Sequence, residues 1–290
     1  MKSLIALALL TSTAAAAPEA HHLARPDGSL IHYTLDRATP PAAGLLVLGQ
    51  GSGCRPGVQS VGLATVRTAF SAYDTLIVEK AGISPDMQVD ERNCPADFYD
   101  RYTISQRVED YEAVLTALGG QPGRLILFGG SEGGLAMAIL AARVHPDAAI
   151  LFSSATGTSF GEMVLSTVPP EGKASVAAGF EAARANPDSS ELLSGHTYRF
   201  WADSLDHRSI DYMRKTDTPF LLIQGGLDTS SPIAAARATA EVFATEGRCN
   251  LTYWELPALD HGMLDPKGNT HLPAVATMAA AWAESPITAC

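Results

Sequence analysis

Short apolar runs separated by longer amphipathic stretches organise most of the chain. Gly44-Leu45-Leu46-Val47-Leu48, Thr75-Leu76-Ile77-Val78, Leu125-Ile126-Leu127-Phe128, Ala149-Ile150-Leu151-Phe152 and Phe220-Leu221-Leu222-Ile223 show almost no polar alternation, as strands buried on both faces of a parallel sheet require. Between them, Ile104 to Leu118, Leu135 to Val144 and Ala234 to Phe243 place apolar residues at helical spacing. This alternation predicts an α/β fold: a mostly parallel sheet flanked by helices, right-handed crossovers, and ligands at the carboxyl ends of the strands. Ahead of the series, His21 to Leu35 reads as an edge hairpin turning at Pro26-Asp27-Gly28.

Two segments break the rhythm. Ala81 to Thr103 is a polar connection with little periodicity, long enough to suggest a functional loop. Residues 153–218 hold short amphipathic stretches punctuated by Pro169-Pro170, Pro187 and Gly195, without a strand-like run, and read as an inserted helical cap. At the start, Lys2, the apolar run Leu4 to Leu10 and Ala14-Ala15-Ala16-Ala17 form the three-part pattern of a signal peptide, with cleavage after Ala16 because Pro18 fits poorly just past the cleaved bond. The expected organisation is a leader at 1–16, a core built from 17–152 and 219–290, and the cap at 153–218. The leader run is much shorter than the roughly 20 apolar residues of a membrane span, and no later segment is long and apolar enough to compensate. A periplasmic or extracellular protein without a membrane span is expected.

A formal charge of −11 argues against nucleic acid and anionic membrane surfaces as partners. It leaves a small neutral substrate open and says nothing of oligomeric state. The cysteines, Cys54, Cys94, Cys249 and Cys290, are even in number in a chain read as exported, and no two are close in sequence. Disulfides are expected, a metal site is not, and no cofactor motif is present.

The chemistry is concentrated in Gly129-Gly130-Ser131-Glu132-Gly133-Gly134, which follows one apolar run and opens a helix. A serine on a tight strand-to-helix turn takes strained backbone angles, and neighbours without side chains let strand, helix and substrate approach it. With this G-x-S-x-G elbow the chain resembles the α/β-hydrolase superfamily of esterase- and lipase-like serine hydrolases, in which the serine precedes an acid after a late strand and a histidine after the last one. The resemblance covers most of the chain after the leader, and implies an α/β-hydrolase sheet with the cap inserted after the strand that follows the nucleophile helix. Its matching positions are Asp228, in Leu222-Ile223-Gln224-Gly225-Gly226-Leu227-Asp228, and His261, at the end of Tyr253-Trp254-Glu255-Leu256-Pro257-Ala258-Leu259-Asp260-His261. Ser131 is then the nucleophile, His261 the base and Asp228 the acid that orients it. His271 begins an apolar helical stretch and suits a helix start, Asp260 suits local hydrogen bonds, and His21, His22, His32, His145, His196 and His207 lack motif context.

The oxyanion donors expected are the backbone N–H of Glu132, at the helix N-terminus, and that of Ser52 or, second, Gly51, in Gly49-Gln50-Gly51-Ser52-Gly53-Cys54. The His-Gly start of the common esterase loop is missing, and Gln50 stands in its place. The Glu132 carboxylate would oppose an oxyanion unless paired or turned away, which favours a structural role. Arg55, Phe160, Met163, Phe200 and Trp201 are candidate substrate contacts. Cys54 and Cys94 both follow strands and should meet at the carboxyl edge of the sheet, while Cys249 and Cys290 should meet at the opposite edge; the cross pairings would span roughly 17 Å. The expected activity is hydrolysis of carboxylic esters through an acyl-enzyme. A serine peptidase, with Glu132, Glu162 or Glu171 holding a peptide amine, is the alternative enzyme, and a non-catalytic binding protein on the same fold the alternative of another class.

Overall fold

A computed structural model of the chain describes residues 18–38, 41–120 and 123–288. The expected leader at 1–16 lies outside them, as does Cys290 and therefore its pairing with Cys249. The strands are β1 (Glu19–Ala24), β2 (Leu30–Asp36), β3 (Gly44–Gly49), β4 (Asp74–Val78), β5 (Arg124–Gly130), β6 (Ala148–Phe152), β7 (Leu192–Leu193), β8 (His196–Thr197), β9 (Phe220–Gly225) and β10 (Leu251–Leu256). The helices are α1 (Val61–Ala69), α2 (Ala96–Arg101), α3 (Ile104–Ala117), α4 (Glu132–Val144), α5 (Phe160–Thr167), α6 (Pro170–Ala185), α7 (Tyr198–Ser204), α8 (Ser209–Met213), α9 (Ile233–Thr245) and α10 (Leu272–Glu284).

Eight strands form one sheet in the order β1-β2-β4-β3-β5-β6-β9-β10. The β1–β2 hairpin and the β2–β4 pair are antiparallel and the remaining pairs parallel. Successive side chains of the central strands enter opposite cores. Leu45, Val47, Leu127, Phe220 and Leu222 pack on one face, and Leu46, Leu48, Ile126, Phe128, Leu221 and Ile223 on the other. The two-residue period of a strand and cover on both faces thus explain why these runs carry no polar alternation.

The helices begin where side chains can take up free backbone donors. Ser60, Thr103 and Thr197 cap α1, α3 and α7, and Ser159 with Glu162 forms a reciprocal capping box on α5. Helix α4 is buried along its whole first part, from Glu132 to Ala141. It begins three residues before the stretch recognised by periodicity, because two glycines occupy its first turn. Segment 153–218 holds α5 to α8 and one difference from expectation, the β7–β8 hairpin, which turns through Ser194 and Gly195 at φ 48° and 85°. Two-residue strands are too short for any alternation to show. Likewise the Ala81 to Thr103 connection contains α2, only six residues long.

Register sets what converges. Gly49 pairs with Gly129, Gly130 with Phe152, Phe152 with Ile223, and Gly225 with Leu256. The loops that follow β3, β4, β5, β6, β9 and β10 therefore leave the sheet at one edge, carrying Gly51, Lys80, Ser131, Ser153, Asp228 and His261.

Candidate active site

Ser131 sits between β5 and α4 at φ 54°, ψ −124°, a strained conformation for a residue with a side chain. It is held there by its own N–H, which donates to Phe152 O at 2.8 Å, and by the glycines around it. A Cβ on Gly129 would lie 2.2 Å from Gly133 O, and one on Gly133 would lie 2.2 Å from Gly49 O. Only bare backbone lets β3, β5 and α4 meet this closely. Glu132, the first residue of α4, has an N–H with no acceptor inside the helix, at its positive end.

Asp228 lies in the loop after β9 with its side chain buried, and its Oδ2 is 2.8 Å from His261 Nδ1. The other oxygen accepts the N–H groups of Ser230 and Ser231, each at 2.8 Å. Burial pushes the Asp228 carboxyl up, but the hydrogen bonds from His261 and these amides prevail and hold it below its usual value. Gln224 Nε2 donates to the same Oδ2 at 2.9 Å. That contact was not foreseen, although a polar residue inside the buried run of β9 was a visible signal. Behind His261, its own carbonyl accepts from Ser153 Oγ at 2.9 Å, which ties the loop after β10 to the end of β6. Asp260 accepts from the amides of Gly262 and Leu264, and His271 stands at the N-cap position of α10, its ring 3.4 Å from Asp265 rather than bonded to the helix. Among the described residues no hydrogen bond joins Ser131 Oγ to His261. The imidazole nitrogen opposite Asp228 is nevertheless the one left for a proton acceptor role.

Gly51 approaches Ser131 directly, since a Cβ there would lie 3.4 Å from Ser131 Cβ. Ser52, the first choice among the loop amides, is exposed beside it. Beneath the loop lies a buried ionic cluster that sequence reasoning missed. Lys80 Nζ donates to Gly51 O at 2.7 Å, Gly53 O at 2.8 Å and Glu132 Oε1 at 3.0 Å. Arg107 donates to Gln50 O at 2.7 Å and lies 3.4 Å from Glu132 Oε1, to which Tyr102 Oη also donates. Lys80, Arg107 and Glu132 side chains are each 1% exposed. Burial raises the Glu132 carboxyl, but Lys80 and Arg107 outweigh it and hold the group down to about 2. Burial pushes the Lys80 ammonium down to about 8 despite Glu132. The Glu132 carboxylate is thus paired and turned away from Ser131. Two signals were available: Glu79-Lys80 is a charged pair directly after a buried strand, and Arg107 stands on the apolar stripe Ile104, Val108, Tyr111.

A narrow cleft opens at Ser131, lined by Leu135, Ala155, Phe160, Met163, His207 and Ser209. Phe160 and Met163 are therefore beside the serine, as anticipated for substrate contacts. Phe200 and Trp201 are not. They are 1% and 3% exposed, packed against Tyr102 and Phe180 at centroid distances of 5.6 and 4.9 Å, because the apolar face of α7 is buried against α6 and α3. Arg55 also falls outside the cleft, at the surface and 2.7 Å from Glu91. The expected Cys54–Cys94 disulfide is present and joins the loop after β3 to the connection after β4.

No family model matches the chain, and no curated protein matches it. Solved structures do. Est1E from Butyrivibrio proteoclasticus is 18% identical with a TM-score of 0.60, covering 91% of this chain and 96% of its own. The esterase domain of a Rhodothermus marinus protein is 16% identical with a TM-score of 0.58, covering 92% and 98%. A puromycin-hydrolyzing peptidase from Mycobacterium tuberculosis is 15% identical with a TM-score of 0.58, covering 91% of this chain and 38% of its own. With its parallel sheet, antiparallel second strand and flanking helices, the chain has the α/β-hydrolase fold.

Proposed function

We propose that the chain is a serine hydrolase that cleaves carboxylic esters of small molecules through an acyl-enzyme. The observation that carries this reading is the buried Asp228 carboxylate 2.8 Å from His261 Nδ1, on the same sheet edge as a serine held at φ 54°. Asp228 would fix the imidazole with its other nitrogen free to act as base. Ser131 Oγ attacks the ester carbonyl carbon while His261 takes its proton. The tetrahedral oxyanion is held by the N–H of Glu132 and those of Ser52 and Gly51. Collapse expels the alcohol, which takes the proton from His261. Water then attacks the acyl carbon, His261 again takes and returns a proton, and the carboxylic acid leaves Ser131. The hydrogen bond from Ser131 to His261 forms as substrate binds, as such bonds often tighten only in the complex.

Residues 153–218 act in this reading as a cap, since Phe160, Met163, His207 and Ser209 line the same cleft as Ser131. Ester is favoured over peptide because two of the three acids that could hold a peptide amine are engaged elsewhere, and the third, Glu171, does not line the cleft. Glu132 is paired with Lys80 and Arg107, and Glu162 closes a capping box and contacts Arg208. Export across a membrane agrees with the leader pattern and with a disulfide beside the site.

Steady-state rates on 4-nitrophenyl butyrate and on an aminoacyl 4-nitroanilide, with fluorophosphonate labelling of wild type and Ser131→Ala, test the proposal. Ester turnover and labelling that both vanish in Ser131→Ala are expected. Faster turnover of the anilide would make the chain a peptidase, and a folded wild type that neither labels nor turns over would make it a binding protein.

A further inference from the structure

The buried cluster under the oxyanion loop is costly to build. Two cations, Lys80 and Arg107, and two carboxylates, Glu79 and Glu132, are all about 2–3% exposed or less, and buried charge is tolerated only when paired and hydrogen-bonded. Their bonds are not distributed at random. An ammonium has three donors, and all three of Lys80 are used: two on loop carbonyls, Gly51 O and Gly53 O, and one on Glu132. Arg107 takes the preceding carbonyl, Gln50 O. Glu79 holds the far end of the loop by accepting the N–H groups of Gly57 at 2.5 Å and Val58 at 3.2 Å.

A trans peptide is planar, with its C=O and N–H pointing in opposite directions. Fixing Gln50 O on Arg107 aims the N–H of Gly51 away from the cluster, and fixing Gly51 O on Lys80 does the same for the N–H of Ser52. The loop passes from the cluster toward Ser131, close enough that a Cβ on Gly51 would lie 3.4 Å from Ser131 Cβ. The anion that balances Lys80 belongs to Glu132, whose own N–H is the donor on the other side of the oxyanion. One ion pair therefore links both halves of the donor set.

We propose that Lys80 is a positioning residue for the oxyanion site: its ammonium, braced by Glu132 and Arg107, grips the carbonyls of the 50–53 loop so that the Gly51 and Ser52 amides face Ser131. This rests on the reading of Ser131 as nucleophile given above.

The cluster gives the role a pH signature. The groups that face Lys80 are Glu132 from α4, Arg107 from α3, with Tyr111 behind that guanidinium, Tyr102 after α2, Glu79 beside it, and His196 from β8. Burial holds the Tyr102 hydroxyl well above its usual value and the His196 ring down to about 4, so Lys80, at about 8, is the member that changes charge in mild alkali. Its folded value lies below the 10.5 of a free lysine. Between these values the unfolded chain binds the extra proton, so this group's contribution to stability rises with pH. Loss of activity there is thus separable from unfolding.

The test measures kcat and KM on 4-nitrophenyl butyrate across pH 6 to 10 for wild type, Lys80→Met and Lys80→Arg, with circular dichroism at each pH and Ser131→Ala alongside. Wild-type kcat should fall above about pH 8 while the protein stays folded. Lys80→Met should lose about 10²–10³-fold in kcat, the range for removing an oxyanion donor, with KM little changed. Lys80→Arg, which keeps its charge, should recover part of kcat and lack the alkaline fall. A folded Lys80→Met with wild-type kcat overturns the proposal. So does an alkaline fall that persists in Lys80→Arg or is absent from wild type, which decides the matter even if Lys80→Met does not fold. Activity retained in Ser131→Ala would instead remove the underlying reading.

Discussion

Substituting Gly133 by alanine probes the contact on which the proposed chemistry depends. Gly133 is in the first turn of α4, and a Cβ there would lie 2.2 Å from Gly49 O and 2.5 Å from Gln50 O, both main-chain atoms of β3 and its loop. Neither atom can rotate away, so helix and loop must part by about 1 Å to restore van der Waals contact. That gap opens between the N–H of Glu132 and those of Gly51 and Ser52, the two halves of the oxyanion site. A misplacement of about 1 Å can cost about 10²-fold in rate, and forcing a methyl into a packed site costs about 1–3 kcal/mol of stability. Gly133→Ala should thus fold with a lowered melting temperature and lose about 10²-fold in kcat. Gly130→Ala is the internal control. Its Cβ would meet only Phe152 Cδ1, at 3.8 Å, and it should keep most of the activity. Steady-state kinetics with thermal melts decide the case. Wild-type kcat in Gly133→Ala, or equal damage from Gly130→Ala, would refute the argument from close approach.

Asp228→Asn should keep the fold, because an amide oxygen can still accept from Ser230 and Ser231, yet lower kcat by about 10⁴-fold as the imidazole loses its anionic partner; a smaller effect than about tenfold would count against Asp228 as the orienting acid. Trp201→Ala should cost about 3–5 kcal/mol in chemical denaturation with KM changed little, whereas Met163→Ala, at the cleft wall, should alter KM across acyl chain lengths; the reverse pattern would put α7 rather than α5 against the substrate. Breaking the Cys54–Cys94 bridge, 40 residues apart, by Cys54→Ser should remove up to about 4 kcal/mol of stability by the loop-entropy model and lower kcat through the loosened loop, and unchanged kcat in a folded variant would show that the neighbouring bonds suffice.

The central sheet was legible because its signal is strong and local. A strand covered on both faces must be apolar along its run, as Leu45–Leu48, Leu125–Phe128, Ala148–Phe152 and Phe220–Ile223 are. The elbow was legible for a related reason, since a backbone crossing that admits no Cβ leaves glycines in the sequence. What escaped notice depends on contacts distant in the chain. Nothing local says that Phe200 and Trp201 pack inward on α6 and α3 rather than toward the serine; both faces of a small helix over a core look alike in sequence. Lys80 and Arg107 escaped because charged residues are usually solvated, and only the fold shows that the end of β4 and the stripe of α3 meet beneath residues 50–53.

That meeting follows from an accounting of backbone groups. Where β3 leaves the sheet its loop turns across the top of the fold, and the carbonyls of Gln50, Gly51 and Gly53 lie past the last strand pairing while still facing the interior. Buried carbonyls require donors, and helix N-termini at this edge offer N–H groups aimed the other way, toward the substrate. Side chains therefore have to supply them. Tyr111 Oη reaches Leu48 O at 2.7 Å, Arg107 reaches Gln50 O, and Lys80 reaches Gly51 O and Gly53 O. Two of these donors are cations, and a pair of buried cations needs an anion within reach. The residue after the serine is well placed to provide it, because its backbone is already fixed by the elbow and its side chain points below the loop. On this account a glutamate at 132, anomalous beside an oxyanion when considered alone, is the counter-charge that lets cations hold the opposite donor loop in place.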